Sequence, residues 1–265
     1  MPELPDVESF TRYFERTSLN QEIEEIEGKT KSLVKGTSFK KFREKLIGEQ
    51  FVKAHRRGKF LIAEVSDIEE KVVFHFGMTG SLSYSRQRDS KFGRDEYAQV
   101  TFKFKQGYEL RWINIRKLGK IYFVKKPERV DLLKEMGPEP LSLTEEDFLS
   151  LLEEHERKNI KSFFMDQRDI AGIGNVYSDE ILFQAEVDPH QDIKEISQEK
   201  RKELYQKMKN VLIEASNLSH PGAKFPNSWL TAHREEMECP NYKTHKLEKE
   251  TIGGRTARFC PKCQS

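Results

Sequence analysis

The chain has 265 residues, and its 46 Lys plus Arg nearly balance 44 Asp plus Glu, leaving a net charge of +2 that excludes a bulk polycation or polyanion. That length accommodates one large or two ordinary domains with buried cores. No apolar run approaches the ~20 residues of a membrane helix, no basic-then-apolar leader opens the chain, and three cysteines do not build a disulfide framework, so a reducing cytoplasm is expected.

In chain order, the opening Met1-Pro2-Glu3-Leu4-Pro5-Asp6 comes first. With Met1 removed, Pro2 carries a secondary amine. An α-amine has a reference pKa of ~7.7–8.0, so part of it is neutral near pH 7. A neutral amine can attack an aldehyde carbon to form an imine, and Glu3 beside it is suited to proton transfer. Taken alone, the segment reads more simply as the lead into a helix. Val7, Phe10, Tyr13, Phe14 and Thr17 form a helical stripe, which predicts a helix over 5–18. Phe39, Phe42 and Leu46 predict a second over 38–47, stopped at Gly48. From 50 to 125 the period becomes two, with strands expected at 60–65, 71–76, 99–104 and 120–124. Several short strands with glycine turns imply an antiparallel sandwich or barrel. Residues 126–143, with three prolines and a glycine, read as a linker. Beyond it the pattern is helical: an N-terminus at Thr144 with an acidic first turn, then 175–185 and 198–215. A loop is expected over 216–228, followed by a short polar tail holding all three cysteines.

Charge is locally ordered. Residues 53–60 hold four basic side chains and 110–126 hold six, with no acid in either. Separate basic stripes on a near-neutral chain suit a polyanion-binding face, although ordinary charge scatter gives the same pattern. Arg56-Arg57-Gly58-Lys59 reads as a hairpin turn with Lys59 at its tip. His75-Phe76-Gly77-Met78-Thr79-Gly80 sets Met78 in a glycine-bounded loop, where it is either a wedge for a base stack or a core residue. Ile170-Ala-Gly-Ile-Gly-Asn175 is a glycine turn opening a helix, a place where backbone N–H groups can approach a phosphate. Cys260-x2-Cys263 with Cys239 upstream is half of a tetrahedral zinc pattern. The expected fourth thiol position is Tyr242, and the nearest substitute is His245. The tail is therefore either a Cys3His zinc site or a degenerate finger held by packing.

Taken together, PELPDVE, RRGKFL, HFGMTGSL, the basic 114–119 segment, KSFFMDQ, IAGIGNVYSDEILF and GGRTARFCPKCQ stand in an order that resembles the formamidopyrimidine-DNA glycosylase and endonuclease VIII family, closer to the former branch. The resemblance covers essentially the whole chain. It implies an α+β protein: an N-terminal β-sandwich with flanking helices (1–126), a linker (127–143), a helix–two-turn–helix domain (144–228) and a zinc-finger-like hairpin (229–265), with DNA in the cleft between domains. It also implies a bifunctional glycosylase and AP lyase of base excision repair acting on damaged double-stranded DNA, monomeric, with one structural zinc. By resemblance, Pro2 is the nucleophile, Glu3 the proton shuttle, and Lys59 and Arg255 further catalytic groups. His75, Met78, Arg116, Leu118, Lys161 and Asn175 are implied DNA contacts, and Cys239, His245, Cys260 and Cys263 metal ligands. The chain departs from the pattern at Asp6 in place of Glu, at Leu118 in place of an intercalating Phe, and at Tyr242. The 216–228 loop also looks short for one that caps 8-oxoguanine, which leaves oxidised pyrimidines and ring-opened purines open. Two alternatives remain: a non-catalytic damaged-DNA-binding module on the same fold, and an endonuclease VIII-like enzyme acting on oxidised pyrimidines.

Overall fold

A computed structural model describes residues 1–87, 96–218, 224–242 and 244–264. Two compact units emerge. The first comprises Met1–Pro2 and Asp6–Lys134, the second Glu3–Pro5 and Glu135–Ser265.

The first unit carries most of helix α1 (Leu4–Ser18) and strands β1 (Ile23–Gly28) and β2 (Val34–Lys35). Helix α2 (Phe39–Leu46) follows, then β3 (Phe51–Arg57), β4 (Phe60–Val65) and β5 (Lys71–His75). Strands β6 (Gly80–Arg86), β7 (Ala98–Phe104), β8 (Tyr108–Asn114) and β9 (Lys120–Val124) complete it. One sheet runs β1-β7-β8-β6 and the other β2-β9-β5-β4-β3. Every strand pair is antiparallel except the short β2–β9 pair, which is parallel. The expected strands at 60–65, 71–76, 99–104 and 120–124 correspond to β4, β5, β7 and β9. The two sheets share one aromatic core with α1 and α2: Phe74 lies 6.1 Å from Phe102, Phe14 lies 5.0 Å from Phe51, and Phe42 lies 5.4 Å from Phe123. Each buried Phe contributes roughly 1.5–3 kcal/mol of transfer free energy, so this cluster is the main adhesive of the unit.

The basic stripes do not survive intact. Arg111 is buried on β8 beside Glu109, its NH1 donating to Ser85 Oγ at 2.8 Å. Arg56 is drawn onto Glu8 of α1 at 3.1 Å, and Lys125 onto Glu69 at 2.7 Å. Side chains counted toward a polyanion face are thus partly spent on internal pairs.

Residues 127–143, expected as linker, carry a helical turn at Pro127–Arg129 and the short helix α3 (Asp131–Lys134), both within the first unit. In the second unit, α4 (Glu145–Glu154) begins with the expected cap: Thr144 Oγ1 accepts from Asp147 N, and Asp147 accepts from Thr144 N. Then come α5 (Ile160–Met165), α6 (Asn175–Gln184) and α7 (Gln198–Leu218). The predicted apolar face of α7, Leu204, Met208, Val211, Leu212 and Ala215, is buried against Phe148, Phe163, Phe164, Ile181 and Leu182. The first three residues of the expected 216–228 loop are still helix, and residues 219–223 lie outside the described residues, as does the length argument built on them. The tail forms the antiparallel hairpin β10 (Glu248–Ile252) and β11 (Arg255–Phe259). Its turn is Gly253-Gly254, with φ of +56° and +74°, a two-residue turn in which both positions favour glycine. Among the described residues, no helix is long and apolar enough to cross a membrane.

Candidate nucleic-acid site and metal centre

Glu3, Leu4 and Pro5 belong to the second unit, and Glu3 and Leu4 are fixed within it. Glu3 is 1% exposed, and its carboxylate accepts from Gly174 N at 2.8 Å, Val176 N at 2.9 Å and Tyr177 N at 3.2 Å. Those amides open α6, so a helix N-terminus with its unpaired donors seats this anion. Leu4 N donates to Gly172 O at 2.9 Å. Gly172 adopts φ +83°, and a Cβ there would meet Leu4 Cβ at 2.8 Å, so glycine is required on both counts. The phosphate expected at this glycine turn is therefore replaced by the chain's own Glu3, because three of the turn's donors are already committed. Asn175 is likewise redirected: its Nδ2 donates to Thr256 O on β11 at 2.9 Å, and its Oδ1 is buried without a partner. As placed, it ties the hairpin to α6.

Lys161 also departs from expectation. Its side chain is fully buried, with Nζ 2.5 Å from Asp179 Oδ1 and 3.1 Å from Ser178 Oγ. Arg234 NH1 reaches the other oxygen of Asp179 at 2.8 Å. Burial pulls the Lys161 pKa down and Asp179 opposes it. As placed, the amine is held by two internal acceptors and is not presented to the surface. Beside it, Glu180 is buried and accepts from Thr231 N at 2.7 Å, Thr231 Oγ1 at 2.6 Å and Gln184 Nε2 at 2.9 Å. Desolvation raises its pKa despite those donors.

In the first unit, Lys59 follows Gly58 (φ +53°) in the two-residue turn between β3 and β4, as expected of a hairpin tip. His75 at the end of β5 stacks on Phe60 with centroids 4.8 Å apart. Its pKa is lowered to about 4, by burial first and then by the charges of Lys59 and Lys120, so it is neutral at pH 7 and offers no cation to a phosphate. Met78 is 41% exposed and Leu118 47% exposed. Two loops hold them. Asn114, fully buried, donates from Nδ2 to Phe76 O at 3.0 Å, and its Oδ1 accepts from Leu118 N at 3.1 Å. Arg116 N donates to Thr79 Oγ1 at 3.0 Å, and Arg116 NH1 lies 3.3 Å from Met78 Sδ. A Cβ at Gly119 would meet Asn114 Nδ2 at 2.1 Å, so only glycine allows this loop contact. The structure thus brings Met78, Arg116 and Leu118 together on one exposed tip.

Cys239, His245, Cys260 and Cys263 present ligand atoms all within 4.8 Å of one another. Cys239 Sγ and Cys263 Sγ are 3.6 Å apart, and His245 Nδ1 is 3.8 Å from both Cys260 Sγ and Cys263 Sγ. A tetrahedral ion with Zn–S of ~2.3 Å and Zn–N of ~2.05 Å sets S···S near ~3.8 Å and S···N near ~3.6 Å. Four soft or borderline donors at these spacings fit such an ion, and the cluster could bind a metal. Tyr242, at the position of the missing thiol, points elsewhere: it is 57% exposed and packs its ring 4.7 Å from that of His245. Arg255 begins β11 and is exposed.

The comparisons agree with this geometry. The sequence matches the formamidopyrimidine-DNA glycosylase N-terminal domain over residues 1–121 and the H2TH domain of the same family over residues 136–226. It is 31% identical over 281 residues to a formamidopyrimidine-DNA glycosylase of Shouchella clausii, covering 100% of this chain and 99% of that protein. The chain belongs to the formamidopyrimidine-DNA glycosylase family. An Arabidopsis thaliana relative of the same description is 30% identical over 278 residues, covering 100% of this chain and 71% of the relative. Among solved structures, Lactococcus lactis Fpg bound to DNA containing N7-benzyl-Fapy-dG superposes with a TM-score of 0.82 at 28% identity, with both chains fully covered. The same protein bound to abasic-site DNA gives 0.83 at 27% identity over 99% of each chain.

Sequence reasoning missed the polar residues that organise these groups. Asp179, Glu180 and Arg234, charged residues to which the sequence assigned no role, are buried or nearly so. A signal was available: three consecutive polar residues, Ser178-Asp179-Glu180, stand between Val176-Tyr177 and Ile181-Leu182-Phe183. Asn114 could have been found from its place between a strand and a glycine-containing basic turn.

Proposed function

We propose that the chain is a bifunctional DNA glycosylase and AP lyase of base excision repair that removes oxidised or ring-opened bases from duplex DNA. The observation that supports the reading is the fixed carboxylate one residue after Pro2: Glu3 is locked onto the amides at the start of α6. With Met1 removed, the Pro2 amine attacks C1′ of an everted nucleotide and the base departs protonated; the C1′–O4′ bond then opens, O4′ taking a proton, to leave an iminium between Pro2 and C1′. The resulting iminium acidifies the C2′ proton, and loss of that proton expels the 3′ phosphate; a second elimination expels the 5′ phosphate. Glu3 carries protons in these steps, and its rigid seat keeps it from swinging away from the reacting carbon. Lys59 and Arg255 stabilise phosphate charge. Met78 fills the gap left by the everted base, and Arg116 faces the orphaned one. Unstacking that nucleotide costs a few kcal/mol. Leu118, aliphatic and exposed, wedges without aromatic stacking, which favours loose discrimination of the opposite base.

Borohydride reduction of the protein mixed with abasic-site DNA should trap a covalent adduct. Acetylation of the N-terminal amine, with folding intact, should abolish the trapped band, and an undiminished yield would exclude the Pro2 amine as nucleophile. We further propose that the Cys3His cluster holds one structural zinc. The ion would supply charge neutralisation for the thiolates and a rigid base for the hairpin. Elemental analysis should give one zinc per chain for the unmodified protein and a large loss for His245→Ala. An unchanged zinc content in that variant would remove His245 from the ligand set.

A further inference from the structure

His190 has no role in the reading above, yet its ring is held on both sides. Nδ1 lies 2.6 Å from Asp188 Oδ1 on its own loop, and Nε2 lies 3.0 Å from Glu250 Oε2 on β10. Phe259 of β11 presents its ring at 82° to the imidazole, 5.0 Å away. The loop itself is anchored: Asn159 Nδ2 donates to Pro189 O at 2.8 Å, and His190 N donates to Asp188 Oδ1 at 2.8 Å. Ionised carboxylates only accept hydrogen bonds, and a neutral imidazole has one N–H and one lone pair. Two carboxylates on two ring nitrogens therefore both receive a donor only when the ring is protonated.

The second partner sits on the hairpin that bears Arg255. Elsewhere, the hairpin meets the helical body where Gly253 approaches Ser162 and where Asn175 Nδ2 bonds Thr256 O. Neither of those contacts contains a titratable side chain; the His190 contact does.

We infer that His190 is a positioning residue, a proton-operated latch that holds the β10–β11 hairpin to the helical body. Its consequence for DNA rests on the proposed phosphate grip of Arg255. The charged groups facing the ring are Asp188 from its own loop and Glu250 from β10, while β11 offers only the Phe259 ring. Burial pulls the His190 pKa down, but the two carboxylates outweigh it and the net direction is upward from the ordinary histidine value. The sign follows: the latch is fully closed below about pH 6.5 and opens as pH rises through the raised value.

Hydrogen exchange of backbone amides 248–259 in the full, metal-loaded chain without DNA tests the latch between about pH 6 and about pH 8.5. Relative to the unmodified protein, His190→Gln should exchange about two- to fivefold faster at the lower pH, the scale of one exposed ion pair, and at the same rate at the higher pH. His190→Arg, permanently charged, should remain protected at both. A His190→Gln effect that is absent, or equal at both pH values, overturns the latch. Affinity for a duplex with an abasic-site analogue, followed over the same range, separates the two readings. If exchange follows the expected profile while affinity stays flat, the latch stands and the phosphate grip by Arg255 fails.

Discussion

Two regions carry most of the residues assigned to DNA chemistry, and they treat polar side chains in opposite ways. At the loop tip of the first unit, the buried polar group is the frame: Asn114 spends both ends of its amide on backbone atoms of the flanking loops. Met78, Arg116 and Leu118 are left outside, two of them exposed apolar side chains with no core to fill. Around α6 in the second unit, the polar residues are themselves the interior. Glu3, Lys161, Asp179 and Glu180 are each at most 1% exposed and are satisfied by one another or by backbone amides. In the proposed function, the first region is the one that meets DNA. The second is built to fix atoms relative to one another, and its motif residues act through position more than through contact.

The sharpest way to break this contrast is Glu3→Gln. An amide cannot accept from all three of Gly174, Val176 and Tyr177, because one of its ends donates. Cleavage of abasic-site DNA should fall by about 10²–10⁴-fold, the range for a lost general acid–base, while the protein stays folded. A rate within tenfold of the original would mean that the seat matters only for stability. Next in size, Asp179→Asn leaves the Lys161 and Arg234 charges without their shared counter-ion. Breaking a buried pair from one side costs ~3–5 kcal/mol, readable as a lower urea midpoint. A loss below about 1 kcal/mol would show that the cluster is less tightly charged than its burial implies. The smallest effect compares one residue from each region. Arg116→Ala removes one DNA-facing cation from the tip and should reduce the slope of log affinity against log salt by up to about one. Lys161→Met should leave that slope unchanged even as it weakens the fold. Equal slope changes in both variants would collapse the distinction between a contact region and a positioning region.

The sequence made the α1 stripe, the apolar face of α7 and the Thr144 cap readable, because each follows from periodicity or from a local hydrogen bond. Four strands were visible for the same reason. Strand β1 was not: its register shifts between Ile23 and Glu25, so alternation breaks. Strand β8 was masked by its composition, since Arg111 and Glu109 look like surface residues until they are seen to neutralise each other. The metal cluster was only half legible. Cys260 and Cys263 are close in sequence, but the fit of His245 depends on a loop whose path no spacing rule describes. Least visible was the fate of the α6 turn. Its glycines announced an anion site correctly, but the anion proved to be a carboxylate 171 residues away in the chain.

That separation has a consequence during synthesis. A ribosome adds ~5–20 residues per second, so the chain's third residue waits roughly 10–35 seconds before the amides that will hold it exist. Throughout that interval Glu3 lacks the amides that seat it, although the rest of α1 already has the sheets of the first unit to pack against. Met1 is 52% exposed even in the folded chain, so access to the Met1–Pro2 bond does not end when α6 forms; what waits for α6 is the seating of Glu3.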